Sequence, residues 1–165
     1  MATWAQFARA EPELAAYGWE LLREDQGYAY LASIAASGAP RVHPVVPFIA
    51  DGSLYVAIVA GSPKARDLRR DGRYMLHATV GDNDTEFAVR GAAREVIDLT
   101  QSTLLDRQEL NVVDLHTESV LFALDIARVD AAIWDDGPPH RQTWREGAPQ
   151  ISDAAPPAPS RAARP

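Results

Sequence analysis

Short apolar-alternating runs, each ended by a tight-turn signal, fill this chain from Tyr28 to Ile97 and leave little room for helices between them. Tyr28 to Ala35 is the first run, and Ser37-Gly38-Ala39-Pro40 supplies its turn. Arg41 to Ala50 and Ser53 to Ala60 follow, separated by Asp51-Gly52, a dipeptide suited to a two-residue hairpin turn. Asp71-Gly72 opens into Arg73 to Val80, and Gly81-Asp82-Asn83-Asp84 turns the chain into Thr85 to Ile97. A sixth run, Glu118 to Trp134, places Val120, Phe122, Leu124 and Ile126 on one face. Runs joined by turns this short pair antiparallel. The expected fold class is therefore mainly β: a six-stranded antiparallel sheet closing into a barrel, with flanking helices.

Two details qualify the strands. Pro44 and Pro47 interrupt the second run and cannot donate to a ladder, so this strand is an edge, carries a bulge, or faces a ligand. Gly91 marks a bulge in the fifth. Helical spacing appears from Thr3 to Glu24, with Glu11-Pro12-Glu13 as a break and second start, in Ser62 to Arg70, and in Thr100 to Leu115. The segment around Trp144 has no assignable pattern. Pro, Ala and Ser dominate from Gly147 onward, which predicts an extended or disordered tail. The expected organisation is a helical segment 1–26 packing on the barrel, a barrel domain 27–146 and a tail 147–165.

At 165 residues the chain fits one domain with a sizeable core. Its net charge of −7 and the lack of a basic stripe with interleaved aromatics argue against nucleic-acid binding. Without cysteine there are no disulfides and no thiolate metal sites. The first residues lack the pattern of a signal peptide, and no apolar run approaches a membrane span, so a cytoplasmic location is expected.

Chemistry concentrates in Gly61-Ser62-Pro63-Lys64-Ala65-Arg66-Asp67-Leu68-Arg69-Arg70, which holds the only lysine of the chain. Ser62 is a preferred N-cap and Pro63 suits the first helical position. A helix start carries unpaired N–H groups and partial positive charge, so a lysine there suits a phosphate. The plain alternative is a surface helix whose Arg66, Asp67, Arg69 and Arg70 are solvated charges. Arg41 has a similar choice: facing inward it requires an anion, facing outward it requires nothing. His43 either donates to a ligand, with a catalytic proton role as its strongest form, or is a half-buried histidine with a backbone partner.

Other chemistries find little support. The four histidines, His43, His77, His116 and His140, lack metal-ligand spacing, so no metal site is expected. Nucleophile-elbow, Walker and dinucleotide-binding patterns are absent from the sequence. Asp82, Asp84 and Glu86 read as a solvated hairpin turn.

The order Tyr30-Leu31-Ala32-Ser33-Ile34, Gly38-Ala39-Pro40-Arg41-Val42-His43-Pro44-Val45, Leu54-Tyr55-Val56, Ser62-Pro63-Lys64-Ala65-Arg66-Asp67-Leu68, Asp71-Gly72-Arg73-Tyr74 and Val89-Arg90-Gly91-Ala92-Ala93 resembles the pyridoxamine 5′-phosphate oxidase-like FMN-binding split-barrel superfamily. The resemblance covers Ala29 to Val96 well and extends more loosely to Trp134. It implies a six-stranded antiparallel Greek-key split barrel and a homodimer with FMN in the clefts between subunits. The implied activity is that of a flavin-dependent oxidoreductase acting on a small molecule. Related branches use a deazaflavin, coenzyme F-420, or bind haem or bilins without catalysis. An arginine-rich, lysine-poor, alanine-rich composition suggests a GC-rich bacterial source, which adds weight to the deazaflavin alternative.

Carried over residue by residue, the resemblance implies these cofactor contacts. Arg41 falls near the flavin phosphate and ribityl chain. His43, Pro44 and Val45 run beside the ring, and Ile58 and Val59 end the next strand near it. Ser62 and Lys64 form the phosphate-binding helix start. Trp144 and Arg145 loosely match an aromatic-basic pair that reaches the site in the dimer. The vitamin oxidase's C-terminal basic pattern for the substrate phosphate has no convincing copy here, and Lys64 stands where that oxidase has two basic residues in tandem. The resemblance therefore does not extend to pyridoxamine phosphate as substrate.

Overall fold

The computed structural model describes residues 1–23, 27–80, 84–97, 119–134 and 138–148. Helices α1 (Trp4–Ala10) and α2 (Pro12–Arg23) precede strands β1 (Ala29–Ile34), β2 (Pro40–Val45), β3 (Pro47–Ala50) and β4 (Ser53–Val59). Helix α3 (Pro63–Arg70) leads to β5 (Arg73–Ala78), β6 (Glu86–Val96), β7 (Ser119–Ile133) and β8 (His140–Arg145). The helix expected over Thr100 to Leu115, His116 and the tail beyond Ala148 lie outside the described residues.

The strands form one antiparallel sheet in the order β2-β1-β5-β6-β7-β4-β3. Its two end strands, β2 and β3, are consecutive in the chain and separated only by Val46. The sheet therefore curls until its ends meet in one bent segment, which is the expected barrel. Counting β2 and β3 as one kinked strand recovers the six barrel strands. By hydrogen bonding, the sheet has eight.

Two causes account for the difference. Pro44 and Pro47 weaken a continuous ladder, and the segment changes partner around Val46, from β1 to β4. The stretch around Trp144 forms an additional strand, β8, on the edge of β7. β7 is 15 residues long, so one of its edges carries β6 while the other carries β4 at its start and β8 at its end.

Local chemistry explains the elements. Thr3 caps α1 through a reciprocal capping box: its hydroxyl accepts from the Gln6 amide at 3.3 Å, and the Gln6 side chain accepts from the Thr3 amide at 2.8 Å. Pro12 and Glu13 restart the helix as α2. A Cβ added at Gly18 would lie 2.1 Å from the Phe87 ring, so α2 rests directly on β6. Asp51 and Gly52 adopt positive φ of 47° and 75°, as a hairpin turn of this sequence requires.

The expected bulge lies opposite Gly91, with its extra residue in β7 and not in the strand of Gly91. The β6–β7 register slips between Arg90 and Gly91, and Ala127 has no opposite residue. A Cβ at Gly91 would fall 1.9 Å from the Asp125 carbonyl oxygen. The backbone crossing at this point has space for glycine alone.

The barrel interior holds Leu31, Leu76, Val89, Phe122, Leu124 and Ile126, and α1 and α2 close one side of it with Trp4, Phe7, Leu14 and Leu22. A smaller cluster of Phe48 and Leu121, packed by Tyr55 and Val96, covers the other face of β7. The start of β7 is thus buried on both faces, which is why Leu121 and Ala123 are as inaccessible as Phe122 and Leu124. Among the described residues, no helix is long and apolar enough to cross a membrane.

Candidate functional site

The chain leaves β4 at Val59 and turns into α3 through Ala60-Gly61-Ser62. The Ser62 amide donates to the Val59 carbonyl at 3.0 Å, which tightens the turn. The Ser62 hydroxyl accepts from the Ala65 amide at 3.3 Å, and Pro63 occupies the first turn. Lys64 reaches from this start across to β2, where its ammonium donates to the Pro44 carbonyl oxygen at 3.2 Å. It is half-buried, and burial lowers its pKa.

The remaining cations of α3 are engaged elsewhere. Arg66 donates to the Gly61 carbonyl at 3.0 Å. Arg69 makes a bidentate pair with Glu95, 2.7 Å at each oxygen, and donates to the Ala60 carbonyl at 2.8 Å. The Glu95 carboxylate raises the pKa of Arg69, and Arg69 lowers that of Glu95. Arg70 donates to Asp67 at 3.2 Å and to the Ile34 carbonyl.

On β2, Arg41, His43 and Val45 alternate on one face, opposite Ser33, Leu31 and Ala29 of β1. Val45 is buried in the core. Arg41 and His43 lie nearer the rim and are partly exposed. The Nε of Arg41 stands 3.5 Å from Asp67. The His43 Nε2 is buried and has no partner among the described residues. Desolvation lowers the His43 pKa, the charges of Lys64 and then Arg41 lower it further, and Asp67 opposes them. His43 is therefore neutral at pH 7, with two cations close enough to depress its titration. The backbone partner considered for it is absent among the described residues.

The structure brings Arg41, His43, the Pro44 carbonyl and Lys64 together at the junction of β2 with the start of α3, and Ser62 shapes the helix start beside them. Of the other expected site residues, Ile58 and Val59 end β4 at the turn into Ser62, and Trp144 and Arg145 lie at another part of the sheet. Ile58 faces the core at 2% exposure, whereas Val59 is 51% exposed. Trp144 packs on Phe7 of α1 with ring centroids 5.2 Å apart. Arg145 stands on the outer sheet face opposite Arg128, which in turn faces Arg90. Asp130 pairs with both of the latter, at 2.6 Å and 2.9 Å. Arg128 and Thr143 then hold the Asp130 carboxyl below its usual range against the desolvation that raises it. Both Trp144 and Arg145 sit by the far end of β7 from β4, so within one chain they do not join Lys64.

Two residues escaped the reading of the sequence. Asp67 belongs to a helix whose other charged residues are all basic, and this suggests a solvated charge, yet it is only 3% exposed. Ser33 is 1% exposed and donates its hydroxyl to Asp67 at 3.3 Å. The only local signal was the i, i+3 spacing of Asp67 and Arg70.

Chemically, the arrangement offers a half-buried ammonium, a guanidinium and a neutral imidazole with a free ring nitrogen. Such a set favours an anion with a polar group beside it.

A scan of protein-family models finds no match, and neither does a search of curated proteins. Solved structures do match. A pyridoxamine 5′-phosphate oxidase-related, FMN-binding protein from Nostoc punctiforme is 16% identical over 79% of this chain and 88% of its own, with a TM-score of 0.63. PhzG from Burkholderia lata, solved with tetrahydrophenazine-1-carboxylic acid, is 11% identical over 86% of this chain and 93% of its own, with a TM-score of 0.59. A haem-binding protein from Mycobacterium smegmatis is 15% identical over 70% of this chain, with a TM-score of 0.55, and the chain spans about half, 52%, of its length. At these identities the likeness is one of fold: this chain shares a split-barrel architecture with these structures.

Proposed function

We propose that this protein is an FMN-dependent oxidoreductase acting on a small molecule, working in the cytoplasm as a homodimer with its cofactor sites between subunits. The observation that carries this reading is the convergence of Lys64, Arg41 and His43 where β2 meets the start of α3. Lys64 and Arg41 would hold the phosphate, and the His43 Nε2 offers an unpaired polar atom next to them. FMN, when bound, supplies the redox chemistry. The protein's part is to bind the phosphate by charge, to keep His43 neutral, and to present the β2 backbone at the cleft.

The homodimer draws support from the outer face of the β1–β2 pair. Tyr30 and Val42, 51% and 58% exposed, stand there beside Pro40 and Pro44. An apolar strip on a sheet face is a natural subunit contact.

A non-catalytic haem-binding role is a second reading, favoured by one observation. The buried, unpaired His43 Nε2 of a neutral imidazole is a competent axial ligand, and one structural neighbour is a haem-binding protein.

The absorbance spectrum of the purified protein, with mass identification of the released chromophore, separates the readings. Bound FMN that is reduced and reoxidised supports the first. A haem band lost on His43→Ala supports the second. A deazaflavin such as coenzyme F-420 in place of flavin would keep the phosphate site and replace the cofactor.

A further inference from the structure

Asp67 is a nearly inaccessible carboxylate on an otherwise basic helix. A buried charge is costly unless it is paired. Here the partners come from three elements: the Ser33 hydroxyl of β1 at 3.3 Å, Arg70 of α3 at 3.2 Å and the Nε of Arg41 of β2 at 3.5 Å. Arg70 is fastened further through its bond to the Ile34 carbonyl at the end of β1. Asp67 therefore ties together the strand pair and the helix that frame the proposed phosphate site.

The contact with Arg41 is an ion pair. The Nε of Arg41 stands 3.5 Å from Asp67, and among the described residues no guanidinium nitrogen of Arg41 makes a hydrogen bond. The buried carboxylate thus anchors the guanidinium by charge and leaves its donors free. A planar fork held in this way matches a phosphate's oxygens, which a loose point charge does not.

We propose that Asp67 is a positioning residue for anion binding: its buried charge holds the Arg41 guanidinium so that the free donors of that group join the Lys64 ammonium around one phosphate group. This rests on reading the site as one that takes a phosphate-bearing ligand. The proposal predicts a sign opposite to that of simple electrostatics. Removing a carboxylate beside two cations makes the site more positive, so by charge alone an anion binds more tightly. If Asp67 positions Arg41, the anion binds more weakly.

The test compares FMN with riboflavin, which lacks the phosphate, on wild type, Asp67→Asn, Ser33→Ala, Arg41→Lys and Arg41→Ala proteins. Asp67→Asn is expected to weaken FMN about fivefold or more and to leave riboflavin unchanged. Ser33→Ala removes one partner of the same carboxylate oxygen, so it weakens FMN in the same direction as Asp67→Asn by a smaller factor. Arg41→Lys keeps the charge and loses the planar fork, so it weakens FMN nearly as much as Arg41→Ala. FMN affinity that is unchanged or tighter in Asp67→Asn, or wild-type affinity in Arg41→Lys, overturns the proposal.

A ligand-free measurement separates this from the proposed function. The ¹H–¹⁵N heteronuclear NOE of the Arg41 Nε–H is expected to report a held side chain in wild type and a freer one in Asp67→Asn. Equal order in the two proteins overturns the positioning role, whether or not FMN binds. A wild type that binds no phosphorylated ligand but shows the difference in order refutes the proposed function alone.

Discussion

Truncating Lys64 to alanine removes the ammonium that spans from the start of α3 to the Pro44 carbonyl at 3.2 Å. One of its three donors is used in that bond, which leaves two for a ligand. A charge-assisted contact to phosphate is worth about 1.5–3 kcal/mol, so the FMN dissociation constant should rise roughly 10- to 150-fold. The fold should barely notice. Pro44 is exposed, water can replace the lost donor, and the stability cost should stay under about 1 kcal/mol. Flavin-fluorescence quenching with FMN and riboflavin in parallel isolates the phosphate: the variant should lose affinity for FMN and keep it for riboflavin. A second readout needs no ligand. Lys64 depresses the His43 pKa, so the His43 titration followed by NMR should shift upward in Lys64→Ala. Equal FMN affinity in the two proteins, or an equal loss for riboflavin, refutes the phosphate assignment.

Because the folded His43 pKa lies below the ordinary value near 6.5, the unfolded chain takes up that proton first. Stability should hold above this value and fall as the pH drops below it toward the folded pKa. Urea midpoints across this range should show that slope in wild type and a flatter one in His43→Gln. Gly91→Val forces a side chain into the β6–β7 crossing, where a Cβ would meet the Asp125 carbonyl oxygen at 1.9 Å. It should cost roughly 2–3 kcal/mol, read as a lower denaturant midpoint at unchanged m-value. Glu95→Gln breaks the Arg69 pair on the rim and should cost less than about 1 kcal/mol in the same assay, because the pair is partly solvated.

Local physics made much of this fold legible. Asp51-Gly52 needed two left-handed residues in a row, and the turn has them. Gly91 stood in a run of strand-forming residues as a bulge signal, and the register slips there, with the extra residue supplied by β7. Pro44 and Pro47 signalled a broken ladder, and the strand splits between them. Ser62-Pro63 signalled the start of α3 in the same way. β8 was not legible, because His140-Arg141-Gln142-Thr143-Trp144-Arg145 is short and polar. Its strand character comes from the open edge that β7 offers at its far end.

At the candidate site, Lys64 and Ser62 could be placed from their spacing along α3, and Arg41 and His43 shared a strand face by alternation alone. Asp67 could not be placed. Its burial depends on Ser33, 34 positions earlier, and on Arg41 of the adjacent strand. Neither the helix's own charge pattern nor its apolar stripe encodes that meeting.

By itself the sequence determined what depends on neighbours within a few positions: strand alternation, turn geometry, helix caps, and a lysine at a helix start. Only the tertiary structure decided that β2 and β3 are the two end strands of one curled sheet, that the lysine faces β2, and that an acid on a basic helix is buried. Those outcomes depend on which distant segments the barrel brings into contact, and the energy of such a contact is set by the path of the whole chain.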